Sequence, residues 1–122
     1  MINSFFTNFE ARERKPQIEN AFHGETIDLV SKVSSDGVPN TLDGYTASGF
    51  YQSADDKENW YELTGEVANG QAVLHWTPEK DLGSDMYYIW LCLEKGSERS
   101  YPGYWQLSLA YSPSTPEEQT ND

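Results

Sequence analysis

Between residues 86 and 94 the chain is apolar on both sides of an extended strand. Tyr87, Ile89, Leu91 and Leu93 fall on one face, and Tyr88, Trp90 and Cys92 on the other. Strand side chains alternate between faces, so a run of this kind needs cover on both. It therefore belongs at the centre of a β structure, and the remaining sequence must supply the covers.

The flanking runs have the alternation of half-buried strands. Residues 26–33 place Ile27, Leu29 and Val33 on one side, Asp28 and Lys32 on the other. Asp36-Gly37 marks a turn, prolonged by Pro39 and Asn40. Residues 45–53 form the next run, and Gly49 inside it predicts a bulge or a close backbone approach. A polar loop, 54–59, precedes a short strand over 60–63. Asn69-Gly70 is the strongest hairpin signal and joins 66–68 to 71–77, with Ala72, Leu74 and Trp76 on one face and Gln71, His75 and Thr77 on the other. A loop containing Pro78 and Gly83 leads to the two-faced run. After the turn Lys95-Gly96-Ser97, the last strand, 104–111, points Trp105, Leu107, Leu109 and Tyr111 inward. No amphipathic helix intervenes. The fold class expected is all-β, an immunoglobulin-like antiparallel β-sandwich of about seven strands.

The 122 residues suit one domain, long enough to bury a core without disulfides or metal. The expected division is an arm over 1–16, a sandwich over 17–112 and a disordered acidic tail over 113–122. The arm, with Phe5, Phe6 and Phe9, is read as either a short helical turn or an extended segment. The tail is Pro, Ser, Thr and acid. No basic and apolar leader opens the chain, and no apolar run approaches the ~20 residues that span a bilayer.

The net charge is −12, which disfavours nucleic acid and anionic membranes. The acidity is uneven: residues 1–25 carry four acids and three bases, and the rest sixteen acids and five bases. Arg12, Arg14 and Lys15 make the first segment nearly neutral. It is either a solvated arm or one that docks onto an acidic neighbour, such as another copy of the chain.

No chemistry emerges from the motifs. Cys92 has no disulfide partner and reads as a small buried hydrophobe. His23 reads as a turn residue and His75 as an exposed strand residue, neither with metal-ligand spacing. Asp55, Asp56 and Glu58 read as a solvated loop rather than a calcium site. Nothing resembles a phosphate-cradling loop or an activated nucleophile, so no enzyme, metal or cofactor is expected. What is left over is aromatic: Trp60-Tyr61, Tyr88, Trp90 and Tyr104-Trp105 exceed what one small core requires. Tyr88 and Trp90 should face outward if Ile89 and Leu91 form the core. That face is either a partner surface or is covered by the phenylalanines of the first segment.

The order of motifs adds a resemblance. His23-Gly24-Glu25-Thr26-Ile27-Asp28-Leu29 opens an alternating strand. Asp36-Gly37-Val38-Pro39 and Leu42-Asp43-Gly44-Tyr45-Thr46 follow, then Asn69-Gly70, Thr77-Pro78-Glu79, Gly83 and the strands ending the chain. Over about residues 20–112 this resembles the N-terminal domain of bacteriophage baseplate upper proteins and related immunoglobulin-like tail and fibre domains. The resemblance implies a virion protein, made in the host bacterial cytoplasm, that anchors a fibre or receptor-binding protein in several copies. It brings no catalytic residues. Family members usually continue into a long fibre or coiled coil; this sequence stops ten residues after the last strand, so a stand-alone adaptor or decoration module is expected. Its partners would be tail, baseplate, fibre or capsid proteins, held through Phe5, Phe6, Phe9, Arg12, Arg14, Tyr88 and Trp90. The alternative is a carbohydrate-binding module that stacks sugars on Trp60, Trp90 or Trp105.

Overall fold

The computed structural model describes residues 2–78 and 86–110; the loop 79–85, Tyr111 and the acidic tail expected over 113–122 lie outside them. The described residues contain strands and turns and no helix, so none is long and apolar enough to cross a membrane. The strands are β1 (Asn3–Glu10), β2 (Pro16–Phe22), β3 (Ile27–Ser35), β4 (Val38–Asn40), β5 (Thr46–Ser53), β6 (Tyr61–Ala68), β7 (Gln71–Trp76), β8 (Met86–Lys95), β9 (Glu98–Ser100) and β10 (Tyr104–Ala110). The all-β expectation holds, with ten strands among the described residues in place of about seven.

One hydrogen-bonded path runs β1-β3-β7-β6-β5-β8-β10-β2, with β4 added to β3 and β9 to β8. It folds over at β6. Residues 61–64 pair with β5, and residues 65–68 pair with β7, so the strand leaves one sheet and enters the other at Gly65. At the opposite side the end strands approach each other, and Thr7 donates its hydroxyl to Gln17 Oε1 at 2.9 Å. The result is a sandwich nearly closed into a barrel. The inner strands are antiparallel, whereas β1 runs parallel to β3 and β2 parallel to β10.

Among the described residues of the segment expected as an arm, Asn3–Glu10 form a strand paired into the sheet. β1 is the outermost strand of the first sheet, extended rather than helical, and β2 begins at Pro16. Asn3, Phe5, Thr7 and Phe9 share the face of Ile27, Leu29, Ser31 and Val33, their register partners. Phe9 is buried and meets Trp105 edge-on at 4.8 Å. This burial ties the segment down: removing a phenylalanine-sized side chain from water contributes ~1.5–3 kcal/mol.

The turns at Asp36-Gly37 and Asn69-Gly70 are two-residue hairpins with positive φ at each central residue, 52° and 79° in the first and 54° and 74° in the second. Past the first of these the chain returns as the short strand β4, in place of the prolonged break expected around Pro39. β8 lies between β5 and β10, as its two apolar faces required. Ile89, Leu91, Trp105, Leu107, Leu74 and Leu29 form the dry interior, each without measurable exposure.

Candidate functional site

The second sheet, β2-β10-β8-β5 with the start of β6, turns one face inward and one outward. Register sets the outer face in rows: Pro16, Tyr104, Trp90, Phe50 and Glu62 lie side by side, and Ile18, Gln106, Tyr88 and Gln52 form the next row. Tyr88 and Trp90 are thus on the outside of the sheet and half-buried, while Ile89 and Leu91 beneath are in the core.

Both rings pack against Tyr104, and Trp90 also against Tyr101, which follows β9. Trp90 stacks on Tyr104 with centroids 4.4 Å apart and planes inclined by 26°. Tyr101 meets Trp90 edge-on and Phe50 at a tilt, each at 6.5 Å, and Tyr88 meets Tyr104 at 6.3 Å. The phenylalanines of the first segment do not cover this surface, because β1, which carries them, belongs to the other sheet.

At one end the aromatic face opens into a hollow of about 640 Å³, lined among the described residues by Arg14, Phe50, Trp60, Trp90, Arg99 and Tyr101. Three connections position it. The β1–β2 turn carries Arg14, held at φ 53° by a backbone hydrogen bond to Glu10. The β5–β6 loop carries Trp60, about half exposed. The β8–β9 hairpin carries Arg99, whose Nη2 lies 3.2 Å from Glu94 Oε2. Hydrogen bonding to Glu94, then to Tyr101, holds the Arg99 guanidinium more firmly protonated still.

Of the seven residues expected to bind partners, the structure brings Tyr88, Trp90 and Arg14 to this one face. Arg12 points elsewhere and pairs with Asp36 at 3.3 Å. Phe6 is exposed on the outside of the first sheet, Phe5 packs against the core and Phe9 is inside it, so Phe9 offers no surface to a partner. Trp105 has no exposed surface and cannot stack on a sugar. Phe50, Arg99 and Tyr101 were not singled out from sequence. The Glu98–Ser100 strand that delivers the last two is too short to show alternation.

His23 does lie in a turn, beside Gly24, but is buried, its backbone N–H donating to Ala110 O at 2.9 Å. His75 is exposed as expected but engaged. Its Nδ1 is 2.7 Å from Asp28 Oδ1, and its Nε2 is 3.5 Å from Glu66 Oε2. The hydrogen bond to Asp28 is the main reason that its pKa is raised. The two carboxylates flank opposite nitrogens of the ring instead of converging on a point, and no group of metal-binding side chains occurs among the described residues.

No family model matches the chain, and no curated protein matches it. Among solved structures, the chain is similar to the N-terminal domain of phage TP901-1 ORF48, with a TM-score of 0.61, 10% identity, 89% of this chain covered and 98% of that one. A novel immune-type receptor 11 extracellular fragment from Ictalurus punctatus aligns at a TM-score of 0.41 and 10% identity, over 82% of this chain and 89% of the other. The first likeness establishes a shared fold.

Proposed function

We propose that this chain is a structural component of a phage virion, a small adaptor or decoration module that binds other virion proteins and performs no catalysis. The observation that carries the reading is the likeness to the phage ORF48 domain, which spans 98% of that domain at a TM-score of 0.61. The order of turn and strand motifs in the sequence points the same way. An aromatic surface on the outside of a sheet is the kind of feature that protein interfaces use. Multiple copies would give such a module its avidity.

The test is whether the chain travels with particles. Virions purified from a host carrying the gene should contain it at a fixed ratio to the tail or capsid proteins, as read by mass spectrometry. The purified chain should then bind one of those proteins when they are mixed. Its absence from particles, together with no binding to any particle protein, would sink the reading.

A further inference from the structure

We propose that the aromatic hollow is the docking site for an acidic segment of a partner protein, one that presents a large apolar side chain flanked by carboxylates. The inference rests on the reading above that the chain works by binding other proteins, and it assigns that binding a place and a chemistry.

The first support is charge. The chain has 20 acids against eight bases, yet two of its three arginines line this hollow and no acid does among the described lining residues. Arg14 makes no ion pair among the described residues. Arg99 is engaged by Glu94 through Nη2 and also by Tyr101, and a guanidinium has five donors, so it can take a further acceptor. An arginine fork beside an apolar wall is suited to a carboxylate, because charge-assisted hydrogen bonds strengthen where water is excluded.

The second support is the wall. Phe50, Trp60, Trp90 and Tyr101 supply it, and a hollow of about 640 Å³ has room for a large side chain and its neighbours. A buried apolar anchor surrounded by polar contacts is the usual energetic centre of a protein interface. A sugar fits less well. Its hydroxyls need several polar partners, and the only side-chain polar groups among the described lining residues are the two guanidiniums, the Trp60 and Trp90 indole N–H groups and the Tyr101 hydroxyl. The net charge alone would favour a basic partner, so a preference for an acidic one has to come from this site.

The test uses the full chain, labelled with nitrogen-15, and three probes: the capped peptide Glu-Glu-Trp-Leu-Glu, its lysine counterpart Lys-Lys-Trp-Leu-Lys, and glucuronic acid. The acidic peptide should shift the indole N–H signals of Trp60 and Trp90 in a saturable way. The double variant R14Q/R99Q, both changes being at exposed positions, should keep a dispersed spectrum and weaken that binding about tenfold or more. The proposal is overturned if the lysine peptide shifts the same signals as strongly, if glucuronic acid alone does so, if R14Q/R99Q binds unchanged, or if no probe moves the indoles. Presence of the chain in particles with unmoved indoles would remove this site and leave the virion reading standing. Absence from particles with binding of the acidic peptide would do the reverse.

Discussion

The ring of Phe9 occupies the space that a Cβ on Gly103 would need. It also meets the Trp105 indole edge-on, so Phe9 packs on a site at the far end of the chain and β1 is fastened to the core through it. Gly103→Ala must push the ring aside, at a cost of ~1–3 kcal/mol. Phe9→Ala should cost ~3–5 kcal/mol. In the double variant the added methyl has room, so urea unfolding should show a total clearly below the sum. Additive losses would mean that the two residues do not meet.

Gly65 and Gly49 both lie under Leu74, but for different reasons. A Cβ at Gly49 would meet the Leu74 methyls, the nearer at 2.6 Å. At Gly65 it would meet a Leu74 methyl at 2.6 Å and also the carbonyl oxygens of Ala47 and Val73 at 2.9 Å. Backbone cannot yield there, because this is where β6 crosses between the sheets. In a Leu74→Ala background, itself destabilised by the lost core side chain, Gly49→Ala should therefore add little further loss and Gly65→Ala most of its full loss. Equal added losses for the two glycines in that background, read by denaturant titration, would refute the distinction.

The central part of this fold was legible because each signal there is local. The two-faced run around Ile89 and the turn pair Asn69-Gly70 say what they form without help from distant residues. The ends were not legible. β1 alternates inward at Phe5 and Phe9, but Phe6 between them and the charges at residues 12–15 hide the pattern, and its parallel partner is set by tertiary packing. The outward placement of Tyr88 and Trp90 followed from parity once Ile89 was placed in the core. The rest of the hollow did not, because Arg14, Trp60 and Arg99 come from three separate connections that only the folded sheet brings together.

His75 gives the first sheet a pH dependence. The Asp28 hydrogen bond, with a smaller contribution from Glu66, raises its pKa above 6.5 in the folded state. The folded protein thus holds this proton more tightly than the unfolded chain. That contribution is fully present below pH 6.5 and is lost as pH rises through the folded value. His75→Gln should flatten the thermal midpoint across that range. Nuclear magnetic resonance titration of the ring should give a pKa above the ordinary value, and one at or below it would refute the account.

Glu10 should act at the acid end. Its carboxylate accepts the N–H groups of Gly37 at 2.9 Å, Asp36 at 3.0 Å and Arg12 at 3.2 Å, and the Ser34 hydroxyl at 3.3 Å. The bond from Gly37 is the largest cause of its lowered pKa. This stabilisation is present above the ordinary value of 4.5 and disappears as pH falls through the lower folded value. Glu10→Gln should speed amide exchange at Asp36 and Gly37 near neutral pH and make the acid limb of stability shallower. Unchanged exchange at both amides would show that the carboxylate does not hold the turn.

Cys92 lies on the outward parity of β8, between Trp90 and Glu94, yet has no exposed surface. Its β5 partner in register is Ser48, and Tyr101 arches over the same face. Burial raises the thiol pKa and outweighs the hydroxyls of Ser48 and Tyr101, which act to lower it. A thiol both covered and protonated should react with iodoacetamide only as fast as the protein opens. Tyr101→Ala removes the cover without touching the inner core. It should raise the labelling rate at pH 8 by about tenfold or more while the urea midpoint moves little. The same rate in both proteins would place the cover elsewhere. Fast labelling of the unmutated chain would mean that this face breathes, and the hollow beside it would then lose its preformed wall.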